Sequence, residues 1–126
     1  MKYTVNTGFG SDGLMLEIKQ VWVMPEGLKM SVSIHNEAEV PVEFHPDQGS
    51  RVVVSGRQLE SDPLATQGDI GGNYQPGEKR TGEILFPVSS EAPLDVDQVD
   101  RVRLYLDDVV IGDILSKNGQ MELKLK

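Results

Sequence analysis

Leu28-Lys29-Met30-Ser31-Val32-Ser33-Ile34-His35 places an apolar side chain on every second position and a polar or charged one between. Successive side chains of an extended chain point to opposite faces, so this stretch predicts a strand with one face in a core and the other toward water. The same period of two recurs downstream. Ile84, Phe86 and Val88 alternate with other residues, as do Val102, Leu104 and Leu106, and then Met121, Leu123 and Leu125 with Glu122, Lys124 and Lys126 between them. Upstream, Leu14, Leu16 and Ile18 keep one phase, whereas Val21 and Val23 fall in the other. A bulge, or a strand that changes sheets, would absorb that slip. Val52-Val53-Val54 has the continuous β-branched character of a strand covered on both faces.

Turn formers separate these runs. Pro25-Glu26-Gly27 reads as a tight hairpin connection between Leu14–Met24 and Leu28–His35. Asn118-Gly119 is a type I′ signal, because both residues tolerate the positive φ that such a turn needs. Two-residue closure there pairs Lys117 with Gln120 and sets Ile114 opposite Leu123 and Asp113 opposite Lys124. Further strands are expected at Val40–Phe44, Arg51–Ser55, Thr81–Pro87, Arg101–Asp107, Val109–Leu115 and Gln120–Leu125. The total of seven to eight strands predicts an all-β, immunoglobulin-like antiparallel sandwich of two sheets. One short helical turn within residues 93–100 is compatible with Leu94, Val96 and Val99, with Pro93 suited to its first turn.

The chain of 126 residues holds one domain, with residues 1–12 expected as a flexible lead-in. It has no cysteine, which removes disulfides, thiolate zinc sites, iron–sulfur clusters and a cysteine nucleophile. The net charge of −8 repels polyanions, so nucleic acid and anionic membrane surfaces are poor partners. Acid is concentrated in residues 91–113, where Glu91 and six aspartates face only Arg101 and Arg103, as a solvated rim would. No apolar run is long enough to span a membrane, and Met1–Asn6 lacks the apolar core of a signal peptide. The expected compartment is the cytoplasm, or the cell envelope or exterior if a leader has been removed.

Residues 56–80 contain five glycines and two prolines, with Leu59, Leu64, Ile70 and Tyr74 as sparse apolar anchors. Two readings of this long loop stay open. One is a crossover between sheets with partial disorder; the other is a partner-contacting loop with Asp69, Asn73 and Tyr74 as contact residues. Gly71-Gly72-Asn73-Tyr74 is no phosphate cradle, since neither a following helix nor a GxxxxGK[ST] motif accompanies it. Pro76-Gly77 fits the two central positions of a type II turn leading into a strand, and Asn36 can end a strand by bonding to nearby backbone.

Candidate chemistry is sparse. His35 and His45 lie near no nucleophile elbow. His35, Glu43, His45 and Asp47 surround one strand connection, but their spacing matches no zinc pattern, and the alternation turns His35 toward solvent. Asp95-Val96-Asp97-Gln98-Val99-Asp100 lacks the glycine and terminal glutamate of a calcium loop. Trp22, the single tryptophan, is expected to be buried or half-buried, which leaves few aromatic platforms for a sugar.

Ser31-Val32-Ser33-Ile34-His35-Asn36-Glu37-Ala38, then Pro41-Val42-Glu43-Phe44, and then Gln75-Pro76-Gly77-Glu78 leading into Gly82-Glu83-Ile84-Leu85-Phe86-Pro87-Val88, carry a resemblance. In order and spacing, residues 14–107 resemble bacterial immunoglobulin-like domains of unknown function. Those domains occur in secreted and lipid-anchored proteins and are related in fold to a mycobacterial secreted antigen. An intracellular proteinase inhibitor of bacilli places Asn and Pro-Gly elements in a similar way. The resemblance implies a sandwich fold and supplies no catalytic residue; no cofactor is expected, and the expected partner is another protein. The expectation is a non-enzymatic protein-interaction module, with a proteinase inhibitor using residues 56–80 as bait, or a small hydrolase or metal-dependent enzyme, as the alternatives.

Overall fold

The computed structural model describes residues 1–11, 13–64, 68, 70–106, 110–111, 114–115 and 120–125. Twelve strands follow in order: β1 (Lys2–Ser11), β2 (Leu14–Met24), β3 (Gly27–Asn36), β4 (Val42–Phe44), β5 (Arg51–Val54), β6 (Arg57–Glu60), β7 (Gly72–Tyr74), β8 (Lys79–Pro87), β9 (Arg101–Tyr105), β10 (Val110–Ile111), β11 (Ile114–Leu115) and β12 (Gln120–Lys124). A helical turn, α1 (Pro46–Gly49), and a 3-10 turn, Val96–Gln98, complete the described elements. All strand pairs are antiparallel. They form a first sheet in the order β1-β2-β3-β8, a second in the order β11-β10-β4-β7 and a third in the order β12-β9-β5-β6.

The inner faces of all three sheets meet in one apolar core, so the predicted all-β, immunoglobulin-like sandwich is the architecture found. Leu28, Met30, Val32 and Ile34 enter it from β3, Ile84 and Phe86 from β8, and Val102 and Leu104 from β9, as their alternation requires. Three sheets stand where two were expected. Pro46 opens α1 between β4 and β5, and a residue without an amide proton followed by a helical turn cannot continue a ladder. The chain therefore leaves the second sheet at Phe44 and enters the third at Arg51.

The phase slip in β2 is a bulge. Ile18 pairs with Val32 and Gln20 with Ser31, which leaves Lys19 unmatched against β3. On the other side, Thr4 pairs with Gln20 and Thr7 with Ile18, so Val5 and Asn6 oppose Lys19, with Asn6 at φ 43°. Leu14, Leu16, Ile18, Val21 and Val23 all reach the core through this adjustment.

Residues 1–12, expected as a flexible lead-in, contain β1, paired along β2 from Lys2 to Ser11. The signal missed there is weak: Gly8 and Gly10, with Thr4, Asn6, Thr7 and Ser11, dilute the apolar alternation of a strand that packs on only one neighbour. Residues 56–80, expected as one long loop, contain β6 and β7. Ser55 and Gly56, at φ 50° and 77°, make the two-residue turn that folds β6 back onto β5. Val109–Leu115, expected as one strand, holds β10 and β11 folded on each other, with Val110 opposite Leu115 and Ile111 opposite Ile114. β12 pairs with β9, where Leu123 faces Val102 and Lys124 faces Arg101, so the register Ile114–Leu123 is not the one formed. Asp113 and Asn118-Gly119 lie outside the described residues. Val53 is half-buried, so β5 is covered on one face only. The helical turn expected within 93–100 is the 3-10 turn, capped by the Asp95 carboxylate accepting from the amide of Asp97.

The end of β3 is held by one buried side chain. Asn36 is fully buried, and its Nδ2 donates to the carbonyls of Val40 (3.0 Å) and Tyr74 (3.0 Å), while its Oδ1 accepts from the amide of Ala38 (2.9 Å). Its backbone amide donates to the Glu78 carbonyl, and its own carbonyl accepts from the amide of Gly77. Gly77, at φ 83°, is the third residue of a turn closed by the Glu78 amide donating to the Gln75 carbonyl at 3.0 Å, which is the type II turn read from Pro76-Gly77. Replacing Asn36 strips a donor from two carbonyls, and that of Tyr74 is left buried. Asn36→Ala is expected to destabilise the chain by about 2–4 kcal/mol, read from urea unfolding midpoints; a loss under about 0.5 kcal/mol would show that water reaches these groups.

Candidate functional site

Of the three expected contact residues Asp69, Asn73 and Tyr74, the tyrosine is not exposed. Tyr74 is fully buried, and its hydroxyl donates to the carbonyl of Ile70. This corrects the expectation of an exposed tyrosine: β7 pairs Tyr74 with Val42, and in that register the ring faces the core. Asn73 is exposed, but its carbonyl is held by Arg80 Nη2 at 2.8 Å. Asp69 lies outside the described residues. Arg80 organises this corner: its guanidinium lies 4.4 Å from the Tyr74 ring centre, its Nη1 donates to the Gly71 carbonyl, and its Nε donates to Glu78 Oε2 at 2.8 Å. Glu78 Oε1 accepts from the amide of Gln75, which braces the type II turn.

The two histidines sit apart in separate pairs. His35 Nδ1 lies 3.3 Å from Glu37 Oε1, and His45 Nε2 lies 3.1 Å from Glu43 Oε1. The Asp47 side chain lies outside the description. Among the described residues no three His, Cys, Asp or Glu side chains converge as a metal ion needs. No helix among the described residues is long and apolar enough to cross a membrane.

The outer face of the first sheet carries a depression among the described residues. Because the inward set of β2 is Leu14, Leu16 and Ile18, Met15 and Glu17 point outward. The register then sets Gly10, Met15, His35 and Lys79 in one row across the sheet, and Gly8, Glu17, Ser33 and Thr81 in the next. The β1 positions in both rows are glycines, and Ser33 is short, so the face is hollowed. The depression measures about 390 Å³ and is walled by Met15, Glu17, His35, Glu37 and Lys79. Met15, 41% exposed, lies over Gly10 so closely that a β-carbon there would come 2.7 Å from its sulfur.

At the other end of the same face, Lys2, Trp22, Lys29 and Leu85 form a row. Trp22 is half-buried, with Lys29 Nζ 4.4 Å and Lys2 Nζ 5.9 Å from its ring centre. Lys29 also reaches Glu83 at 3.7 Å. The tryptophan therefore belongs to the surface, flanked by two cations, and not to the core.

These features can be set beside known proteins. No family model matches the chain, and no curated protein matches it. Among solved structures, a conserved hypothetical protein from Bacillus anthracis is 16% identical at a TM-score of 0.62, over 100% of this chain and 96% of that one. A functionally unknown protein from Listeria monocytogenes is 11% identical at a TM-score of 0.64, over 100% and 86%. An uncharacterised β-sandwich protein from Clostridium difficile is 12% identical at a TM-score of 0.53, over 98% and 93%. At these identities the likeness concerns the fold alone: the chain is an antiparallel β-sandwich of the class to which these uncharacterised bacterial proteins belong.

The Glu78 corner sets a pH dependence. The hydrogen bond from Arg80, then that from the Gln75 amide, hold the Glu78 carboxyl below the ordinary glutamate range. A carboxylate with a lowered folded pKa stabilises above its unfolded value, and that contribution disappears as pH falls through the folded one. Glu78→Gln is expected to lower the urea midpoint at pH 7, and the difference from the parent should narrow as the pH falls below the ordinary glutamate range. A difference that stays constant from neutral to acid pH would show that the ionised form is not what braces the turn.

Proposed function

We propose that this domain is a non-enzymatic protein-interaction module that binds its partner through the outer face of the first sheet. The observation that carries the reading is the hollow lined by Gly8, Met15, Glu17, Ser33 and His35 on the same sheet face as Trp22. A shallow open hollow with a thioether and an indole at the surface suits side chains presented by another protein, since methionine and tryptophan are enriched at such contacts. The resemblance to domains of secreted and lipid-anchored bacterial proteins supports an envelope or secreted setting for the module.

The test places a photo-crosslinking amino acid at Met15, and in parallel at Arg103 on the outer face of the third sheet, in cells of the source organism. A discrete adduct from position 15 and none from position 103 is the expected result. Trp22 gives a second reading, since covering the face should shift its emission and reduce its quenching by acrylamide at least twofold. Adducts of equal yield from both positions, with unchanged Trp22 emission, would overturn the assignment of the face.

A further inference from the structure

The sheet margins differ in how they are guarded. β8 bears Lys79, Arg80, Glu83 and Pro87, and its Leu85 carbonyl already accepts from the amide of Asp62. β6 carries Arg57 and Glu60 in four residues, and β12 carries Glu122 and Lys124 in five. β7 and β11 are three and two residues long. Charges, prolines and shortness are the usual protections of an open edge. β1 has none of them beyond Lys2 at its start: it is ten residues long, without an acidic residue or a proline. The bulge at Val5 and Asn6 breaks its line, which leaves Thr7–Ser11 as a regularly paired stretch with no charge or proline of its own and, among the described residues, no strand hydrogen-bonded to its outer side. β12 approaches β1 from the third sheet, yet no backbone hydrogen bond joins them among the described residues.

This stretch borders the hollow described above. A strand added outside it would place two same-face side chains opposite Gly8 and Gly10, and a glycine lets its cross-strand neighbour lean over it. Beyond Gly8 stands Glu17, exposed and in no ion pair among the described residues. Beyond Gly10 stands the Met15 thioether. A long cation can cross Gly8 to reach the carboxylate, and an aromatic ring can cross Gly10 to meet the sulfur.

We propose that β1 accepts an extended segment of a partner protein as an added strand along Thr7–Ser11, the segment presenting a lysine or arginine and an aromatic residue separated by one position. This rests on the protein-binding reading of the face and names the partner's chemistry. A second copy of the chain does not meet it: Thr7–Ser11 offers no cation, and two chains of net charge −8 repel each other.

The test selects 12-residue peptides from a random displayed library on the full chain, then follows the leading peptide by amide NMR of the chain. The expected peptide contains the basic-x-aromatic pair in either direction, and it shifts the amides of Thr7–Ser11. N-methylation of its edge-facing amides should weaken binding at least tenfold, and Glu17→Gln and Gly8→Val at least fivefold each, whereas Val53→Thr should leave it within twofold. The N-methylated peptide keeps the proposal testable if Gly8→Val fails to fold. Failure to enrich any peptide, equal binding of the N-methylated form, or dimers of the chain through β1 in sedimentation would overturn it. Shifts confined to the Trp22 and Lys29 end would overturn the edge while leaving the face as the binding surface; a peptide that shifts neither would remove both.

Discussion

One amide side chain sits where four segments meet. Asn36 ends β3 with no exposed surface, and it fixes the approach to β4, the end of β7 and the Pro76-Gly77 turn before β8. A buried polar group is tolerable only when its hydrogen-bonding capacity is used, and that requirement fixes position as well as energy. The two amide protons reach carbonyls from different parts of the chain, and the oxygen closes a local turn onto Ala38. Apolar contacts would hold these segments together equally well, but they would not select one register between them. The register of β3 against β8 in turn determines which side chains of the first sheet face outward. The candidate binding surface thus depends on Asn36, although its own side chain does not line the hollow.

The bulge through Lys19 has a comparable reach. Without it, the apolar sets Leu14–Ile18 and Val21–Val23 could not both face the core. With it, Glu17 and Trp22 both stand on the outer face, although their separation in sequence would set them on opposite sides of a regular strand. The matching irregularity at Val5 and Asn6 keeps β1 alongside, with Gly8 opposite Glu17 and Gly10 opposite Met15. The hollow and the tryptophan row therefore share one face because of this bulge.

Strand positions were legible wherever alternation ran for five residues or more: β2, β3, β8, β9 and β12 all lie where the pattern puts them. So were Pro25-Glu26, which links β2 to β3, and the turn at Pro76-Gly77. What escaped were elements with too few apolar residues to show a period. β6 buries only Leu59, although Ser55-Gly56 before it is a hairpin signal, and β7 is three residues long. Tyr74 was misread because a glycine-rich neighbourhood suggests an exposed loop, whereas pairing with Val42 carries its ring inward. The hollow had no sequence signature at all. It depends on glycines of β1 lying beside Met15 and Glu17, and only the register supplies that.

The division of the outer layer into two sheets at α1 also shapes how the molecule comes apart. β4, β7, β10 and β11 are two or three residues each, so their ladder holds few backbone bonds compared with the nine- to eleven-residue strands of the first sheet. Among the described residues no ladder links it to the third sheet, so what holds it to the rest is the shared apolar core and the Asn36 bond to Tyr74. The sandwich thereby has one lightly paired panel fastened by side chains beside two panels fastened by backbone, and the amides of the lightly paired panel should exchange with solvent sooner than those of the broad four-stranded wall.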